Sequence, residues 1–530
     1  MASYTTDADV EHTYTTLRRT FKSGKTKEIA WRKWQLKQIW WLVEDNETLI
    51  QDALMKDMNR HPFETTFTEI ANVKTDILDH LKNIDKWTAD QTPSGGLMRF
   101  MLRPTVRPEP LGVALIIGPW NFPFSLLVQP LIAAVTAGCP VLLKPSEVTS
   151  HVQGLFVDLV PKYLDSDAVR VVTGGAAETG KLLTRKFDHI FFTGSVPVAR
   201  HIAAAAAKHL TPTVLELGGQ CPAIVTSSAD VEAAAKDIAW IKYLNAGQIC
   251  LSVNHVFAHP SIERKLIERM RYWLGEYNKG TTSSLTHIVN DKNYARLKGL
   301  AEKTAGNVEH DGVSDAKTRK LPPAIFSGVK LDDSLLSEEL FGTICPVVTG
   351  STKDAIDSIN SLPHPLAIYI FSQDQNEIDQ VLNSTLSGGV CINGVLLHAM
   401  VPNAPFGGVG DSGHGAYHGD YGFKSFTHYR TIARPTPFFF KMTNFMRPPY
   451  SVSDIKKLAV KNSAGIKRNW SLEKEREAVK RGLLLSKSFR VLKFLMFCAV
   501  LLGVADVSAE RRLGVLKYVR NFMREVGSFF

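Results

Sequence analysis

The chain has 530 residues, 44% of them hydrophobic and 22% charged, which fits an ordinary globular protein of two or more domains with a large core. Its net charge of +10 comes from the tail, because residues 441–530 contain 19 Lys or Arg against 7 Asp or Glu, and nucleic-acid binding by the rest of the chain loses its support. The six cysteines form no Cys-x-x-Cys pair and have no nearby histidine at zinc spacing, which excludes a structural metal site of the usual kind and indicates a reducing compartment.

The amino-terminal region is predicted to be helical and to carry no chemistry. Residues 1–11 are polar, without the apolar core of a secretory signal or the Arg-rich character of a mitochondrial presequence, so we expect the chain to begin in the cytosol. Apolar positions at helical spacing over residues 10–87 predict two or three helices. Residues 100–107 (FMLRPTVR) alternate enough to predict an exposed strand, either a plain edge strand or an oligomerisation arm.

From Leu111 onward, short apolar runs alternate with helical segments. The runs include GVALIIGPW, PVLLKPSE, VRVVTGG, HIFFTGS and TVLELGG. Strands that alternate with helices over this length predict a parallel sheet covered by helices on both faces. Ligands bind such sheets at the carboxyl ends of the strands, where the polar and glycine-rich residues of this chain fall.

Three strand ends carry candidate binding groups. Asn121 lies between Pro119 and Pro123, where a fixed amide could meet an oxyanion; an Asx turn is the alternative. Lys144 and Glu147 could pair with ribose hydroxyls or could simply begin a helix.

The third strand end is Phe192-Thr193-Gly194-Ser195, which precedes a helix whose backbone amides could face a pyrophosphate. The chain has no Gly-x-Gly-x-x-Gly in this region, so the ordinary dinucleotide motif is absent.

Glu216 and Cys250 are the candidate catalytic pair. Glu216 stands in LELGG beside two glycines, and Cys250 follows a glycine-containing turn in NAGQIC, 34 positions later. Only the fold could bring them together, as in active sites built from several loops. Alone, Cys250 could be a small buried hydrophobe and Glu216 a structural charge.

The combined motifs resemble the NAD(P)-dependent aldehyde dehydrogenases over about residues 21–434. The matching stretches are GPWNFPF with Asn121, LLKPSE with Lys144, LELGG with Glu216, NAGQIC with Cys250, SEELFG with Glu339 and Phe341, and PFGGVG at 405–410. KHLTP at 208–212, PLAIY at 365–369 and GHGAYHG at 413–419 resemble the class 3 branch, which includes fatty aldehyde dehydrogenases. Gln220, Thr343, Val196 and Ala199 depart from the usual family residues.

The resemblance implies a role for each matching residue. Cys250 would attack the aldehyde, Asn121 would hold the oxyanion together with the backbone N–H of Cys250, and Glu216 would activate the hydrolytic water. The residues that the family places along the cofactor are Trp120, Lys144, Glu147, Gly194, Ser195, Glu339 and Phe341. A carboxylate at Glu147 would repel a 2′-phosphate, which favours NAD while leaving NADP possible. No metal is implied.

The tail after Arg434 differs in composition from everything before it. The apolar run at 491–507 is short of the roughly 20 residues that a bilayer span needs. It fits a shallow or hairpin insertion, and residues 513–524 have the pattern of a basic amphipathic helix; a core helix is the alternative. We therefore expect a membrane-associated tail.

The predicted fold is α/β: a variant doubly wound cofactor domain, an α/β catalytic domain and a small β oligomerisation arm. The expected boundaries are 1–217 for the helices and cofactor domain with a strand arm near 99–110, 218–420 for the catalytic domain, 421–445 for a segment completing the arm, and 446–530 for the membrane-associating tail. A homodimer is expected. The expected location is a cytosol-facing membrane, either endoplasmic reticulum, lipid droplet or mitochondrial outer membrane.

The predicted reaction is oxidation of a long, apolar aldehyde to its acid, with a fatty aldehyde first and an apocarotenoid or isoprenoid aldehyde second. Two other classes compete. A CoA-acylating relative would lack the general base, which is present here as Glu216. A non-catalytic membrane-associated homologue would show losses at Cys250, Glu216 or Asn121, and none is lost.

Overall fold

The computed structural model describes residues 4–279, 285–460, 463–464, 466, 468 and 470–481. Two compact units divide the chain between Thr436 and Pro437. The strands, in chain order, are β1 Thr105–Pro110, β2 Ala114–Ile117, β3 Val141–Lys144, β4 Val169–Val171, β5 His189–Thr193, β6 Thr213–Glu216, β7 Pro222–Val225, β8 His255–Ala258, β9 Asn307–His310, β10 Ala324–Ser327, β11 Ile344–Thr349, β12 Ala367–Phe371, β13 Gly389–Ile392, β14 Gly413–His414 and β15 Thr427–Ile432.

The α-helices of the first unit lie between and around these strands. They are α1 Asp7–Ser23, α2 Ile29–Glu44, α3 Glu47–Met58, α4 Pro62–Thr65, α5 Ala71–Thr88, α6 Gly96–Leu102, α7 Ser125–Ala137, α8 Ser150–Tyr163, α9 Ala176–Leu182, α10 Val196–Ala207, α11 Val231–Tyr243, α12 Glu263–Tyr277, α13 Asp291–Lys303, α14 Thr352–Ser361, α15 Gln375–Ser384 and α16 Gly419–Ser425.

The first sheet has the strand order β14-β6-β5-β2-β3-β4, and only β14 is antiparallel to its neighbour. Strands β2, β3 and β5 are buried along their whole length, which explains their continuous apolar runs. The chain order of the strands reverses between β2 and β5. Their carboxyl ends therefore form the switch point at which such sheets bind ligands, and the doubly wound arrangement predicted from the sequence is confirmed.

The second sheet has the order β13-β12-β7-β8-β11-β10-β9, parallel except for β9. Helices α11 and α12 pack against it through a core that includes Ile238, Leu266 and Tyr369. The segment between α11 and β8 carries Cys250.

A two-stranded antiparallel ribbon stands apart from both sheets. Strand β1 pairs with β15, from Thr105 opposite Ile432 to Pro110 opposite Thr427. The prediction of a strand from Phe100 was wrong at its start, because residues 96–102 form α6. None of the side chains of GLMRFML is branched at Cβ, and Leu, Met and Arg favour a helix. Arg103 ends the helix in a left-handed conformation with φ of 42°.

The amino-terminal region contains more helices than the two or three predicted. A turn at residues 59–61 separates α3 from α4, and a π-helical turn at Thr66–Ile70 links α4 to α5. Apolar periodicity does not reveal these breaks, because it continues across them.

The second unit is described only up to residue 481. It contains a short helix, α17 Pro437–Met442, and a helical stretch at 472–481. Among the described residues, no helix is both long and apolar enough to cross a membrane. The predicted insertion at 491–507 and the amphipathic helix at 513–524 fall outside the described residues.

Candidate active site

Cys250 is presented by a strained turn that follows α11. Asn245, Ala246 and Gly247 all have left-handed φ angles of 49°, 52° and 66°. A Cβ on residue 247 would lie 2.2 Å from the carbonyl oxygen of Gly342, so only glycine fits there. Asn245 and Ala246 adopt the left-handed conformation although they carry side chains, so the turn is strained.

The Cys250 side chain lines a cavity of about 410 Å³. Burial raises the pKa of its thiol well above the usual range, and the nearby carboxylates of Glu339 and Glu216 add to the effect. The thiol therefore needs a proton acceptor or a positive charge at the site before it can react as a thiolate. The other described cysteines are buried and do not line the cavity. The Cys221 thiol donates a hydrogen bond to the Cys250 backbone carbonyl at 3.3 Å.

Glu216 ends β6 and lines the same cavity. Its side chain is 3% exposed, and neither carboxylate oxygen has a hydrogen-bond partner among the described residues. Burial raises the pKa of this carboxyl well above its ordinary value. An unpaired buried carboxyl beside a cysteine is costly to fold and is typical of a functional group that exchanges protons.

Asn121 is buried in the turn that follows β2. Its side-chain amide donates to the backbone carbonyl of Gln248, two residues before Cys250, at 3.2 Å. The backbone carbonyl of Asn121 accepts a hydrogen bond from the Asn245 side-chain amide at 3.0 Å. The structure therefore brings the Asn121 turn and the Cys250 turn together, although they are far apart in the sequence.

The cavity has two kinds of wall, which sequence analysis did not identify. One wall is apolar and includes Phe67, Phe122, Leu126, Leu396, Met400 and Phe406. The other is polar and consists mainly of one face of α5, with Asn72, Thr75, Asp76 and Asp79, joined by Gln129 and His418. No local pattern points to these residues, because they come from segments scattered along the whole first unit.

The predicted cofactor residues gather near the switch point of the first sheet. Lys144, at the end of β3, is 6% exposed and pairs with Glu147 at 2.6 Å. Gly194 and Ser195 precede α10, and the Ser195 side chain caps none of its amides. The neighbouring Thr193 hydroxyl is buried without a partner among the described residues. A free helix start, an orphaned hydroxyl and a buried cation suit the phosphates and hydroxyls of a dinucleotide.

Trp120, Glu339 and Phe341 are the other predicted cofactor residues, and Glu339 lies close enough to Cys250 to raise the pKa of its thiol. The Trp120 and Phe341 rings meet edge to face, with centroids 5.3 Å apart. The Glu339 carboxylate occupies the space where a Cβ on residue 218 would be, at 2.3 Å, so Gly218 is required for its position. Burial raises the pKa of Glu339 to about 7. These residues fit the ring and ribose of a nicotinamide cofactor beside Cys250.

A sequence model of the family described as "Aldehyde dehydrogenase family" matches residues 2–432. The chain belongs to the aldehyde dehydrogenase family. This aldehyde dehydrogenase is therefore an NAD(P)-dependent oxidoreductase that acts on aldehydes, and the family predicted from its motifs is confirmed.

Relatives place the dehydrogenase in the class 3 branch. It is 38% identical to the rat protein named "Aldehyde dehydrogenase, dimeric NADP-preferring" over 428 residues, which is 80% of this chain and 94% of the relative. It is also 38% identical to mouse "Aldehyde dehydrogenase family 3 member B1" over 448 residues, 84% of this chain and 95% of the relative.

A solved structure confirms the predicted fold. The substrate-bound state of Staphylococcus aureus AldH superposes with a TM-score of 0.79 at 34% identity and covers 83% of this chain and 99% of that one.

Proposed function

We propose that this aldehyde dehydrogenase oxidises a long, apolar aldehyde, with fatty aldehydes as the first choice. The observation that carries the proposal is the cavity at Cys250, whose volume of about 410 Å³ and apolar wall suit a hydrocarbon chain. A small polar aldehyde would not fill the cavity and would leave this apolar wall in contact with water. An apolar chain removes its own surface and the wall from water, which contributes about 25 cal/mol per Å² buried.

The proposed chemistry gives Cys250, Asn121 and Glu216 one role each. The Cys250 sulfur, as thiolate, adds to the aldehyde carbon while the carbonyl π bond breaks, and the Asn121 amide and the Cys250 backbone N–H hold the resulting oxyanion. A bound NAD(P)⁺ would supply the hydride acceptor that the oxidation of this carbon to the thioester level requires. Glu216 takes a proton from water, the water oxygen bonds to the thioester carbon, and the carbon–sulfur bond breaks to release the acid.

The proposed cofactor contacts rest on the resemblance to the family. Lys144 and Glu147 would hold the adenosine ribose, and Gly194 and Ser195 would lie along the phosphates with Trp120. Glu339 and Phe341 would hold the nicotinamide half. Because Lys144 neutralises part of the charge on Glu147, we infer that NADP is accepted and that NAD is favoured. One relative is named NADP-preferring, so the two cofactors have to be compared directly.

We also propose a homodimer and a membrane-associated tail. The ribbon of β1 and β15 offers a strand edge for a second copy, and one relative is named dimeric. In the second unit, Phe438, Phe440, Met442 and Met446 are exposed beside Lys441 and Arg447. Apolar side chains flanked by cations suit a lipid surface with anionic headgroups. The membrane proposed is a cytosol-facing one.

A substrate panel tests the proposed function. The full chain, assayed with NAD and NADP side by side, should give a much higher kcat/KM for hexadecanal than for acetaldehyde or betaine aldehyde. An apocarotenal that outperforms hexadecanal would move the assignment to isoprenoid aldehydes. Faster turnover of acetaldehyde or betaine aldehyde would contradict the proposal.

A further inference from the structure

Arg60 is a fully buried arginine that lies behind the active-site turns and does not line the cavity. Its side chain is 0% exposed. Nη1 donates to the Glu69 carboxylate at 2.6 Å. Nη2 donates to the Asn121 backbone carbonyl at 2.5 Å and to the Asn245 side-chain oxygen at 2.6 Å. One guanidinium thus joins the turn of the oxyanion donor to the turn that leads to Cys250.

Two buried glutamates extend this link to the neighbouring backbone. The second oxygen of Glu69 accepts hydrogen bonds from the backbone amides of Phe124 and Ser125 at 3.0 and 2.7 Å. Glu64 accepts one from the Asn245 backbone amide at 2.6 Å. The amides at the start of α7 and in the Cys250 turn are therefore held from the same side by one short segment, residues 60–69.

Asn245 connects Arg60 to the turn that leads to Cys250. Its left-handed backbone is strained, and its side-chain amide donates to the Asn121 carbonyl and to the Gln248 carbonyl, each at 3.0 Å. The Gln248 carbonyl also accepts the Asn121 amide. A shift of Arg60 would therefore move the oxyanion donor and the nucleophile relative to each other.

A buried charge network is a poor way to gain stability, because removing the charges from water offsets most of their attraction. The guanidinium of Arg60 has several N–H donors in one plane, which are instead suited to fixing geometry. We propose that Arg60 is a positioning residue that sets the alignment of the Asn121 and Cys250 turns. This inference rests on the proposed roles of those two residues.

The test compares Arg60→Lys with Arg32→Lys. Arg32 is also buried, but its guanidinium donates to the carbonyls of Thr26, Lys27 and Thr136, far from the cavity. A lysine at 60 can reach Glu69 but cannot span both turns. We expect both variants to lose thermal stability, while only Arg60→Lys lowers kcat, by about 10- to 100-fold, since small misplacements of reacting groups cost this much. The KM values for aldehyde and cofactor should change less than about threefold.

Single-turnover NADH formation separates positioning from simple loss of folded enzyme. Positioning predicts a full amplitude, since every molecule is competent, with a slow rate. A purely structural role predicts a reduced amplitude at the wild-type rate, and that result would overturn the inference. If the wild-type protein itself oxidises no aldehyde, the proposed function fails instead.

Asn245→Ala provides a second variant that leaves the ion pair of Arg60 and Glu69 intact. It should slow the single turnover in the same way. Because both residues act through one linkage, their effects on the rate should not multiply. The rate of the double variant should lie within about twofold of the rate of the slower single variant. Losses that multiply in the double variant would show independent effects and overturn the inference.

Discussion

At the scale of single residues, the site is defined by groups whose ionisation the fold makes unfavourable. Cys250 and Glu216 both have pKa values raised by burial, and the Glu216 oxygens have no hydrogen-bond partner among the described residues. The burial of these two groups therefore lowers the stability of the folded protein at the positions where chemistry is proposed. This cost can be measured separately from catalysis.

Glu216→Gln should stabilise the protein increasingly as the pH rises. A carboxyl whose pKa is higher in the folded state contributes its full stability when the pH is below its unfolded-state pKa of about 4.5. This contribution is lost as the pH rises toward the folded-state pKa. Glutamine has no such loss. Across that window the free energy of unfolding of the variant relative to wild type should rise by up to about 1.4 kcal/mol per pH unit, as measured by denaturant unfolding between pH 5 and about pH 8. A pH-independent difference would contradict the buried, titrating Glu216.

Glu147→Gln should shift cofactor preference toward NADP. The carboxylate lies beside Lys144, and its removal leaves an unpaired cation for a 2′-phosphate. We expect the ratio of kcat/KM for NADP to that for NAD to rise by about tenfold, which corresponds to about 1.4 kcal/mol. Ser195→Ala keeps the charge and serves as a control. An unchanged ratio would place the ribose elsewhere.

At the scale of elements, helix α5 contributes the polar wall of the substrate cavity. Asp76 accepts a hydrogen bond from Gln129 at 2.8 Å, and burial raises its pKa to about 7. Asp79 lies one turn further along the same face. No salt bridge among the described residues pairs either carboxylate. This wall carries negative charge above neutral pH and should repel anionic aldehydes.

Asp76→Asn should therefore improve activity on an aldehyde with a terminal carboxylate. At pH 8 we expect its kcat/KM to rise by about 3- to 10-fold, a Coulombic effect of about 1 kcal/mol, while the value for hexadecanal changes little. At pH 6, where Asp76 is protonated in the wild type, the two enzymes should converge. A gain that is the same at both pH values would argue against the charge of Asp76.

The elements also show which parts of the fold could be predicted. The parallel strands can be predicted because strands buried on both faces leave continuous apolar runs. Cys250, Glu216 and Asn121 can be proposed as site residues because they stand in short glycine- and proline-containing motifs. Arg60, Glu64 and Glu69 were missed, since nothing in a local pattern distinguishes buried charges from the solvated charges of a surface helix. The predicted start of the strand arm was wrong because apparent alternation at residues 100–102 does not outweigh the helix propensity of Met and Leu.

At the scale of the whole molecule, the chain combines a nearly neutral enzyme body with a basic tail. Residues 441–530 carry the charge excess, and the family model ends at residue 432. Activity and membrane association should therefore be separable. The long apolar substrates proposed for Cys250 are the aldehydes that partition into the surface to which the tail would bind.

A chain that ends at Thr436 should leave the membrane pellet and keep its kcat/KM on short aldehydes. Activity on hexadecanal presented in vesicles should fall, because the enzyme no longer meets its substrate at the surface. Fractionation of cells, with the full chain as the control, measures the first effect, and vesicle assays measure the second. A truncated chain that stays in the pellet would place membrane association in the body.

We propose that Cys250 and Glu216 form a hydrolytic pair, and rapid-mixing measurement of NADH formation with hexadecanal can detect both of their roles in one experiment. Wild type should show sustained NADH and acid formation, and Cys250→Ala should show neither. Glu216→Gln should form about one NADH per active site and then nearly stop, because the thioester forms but water is not activated. Sustained acid formation by either variant would contradict the account.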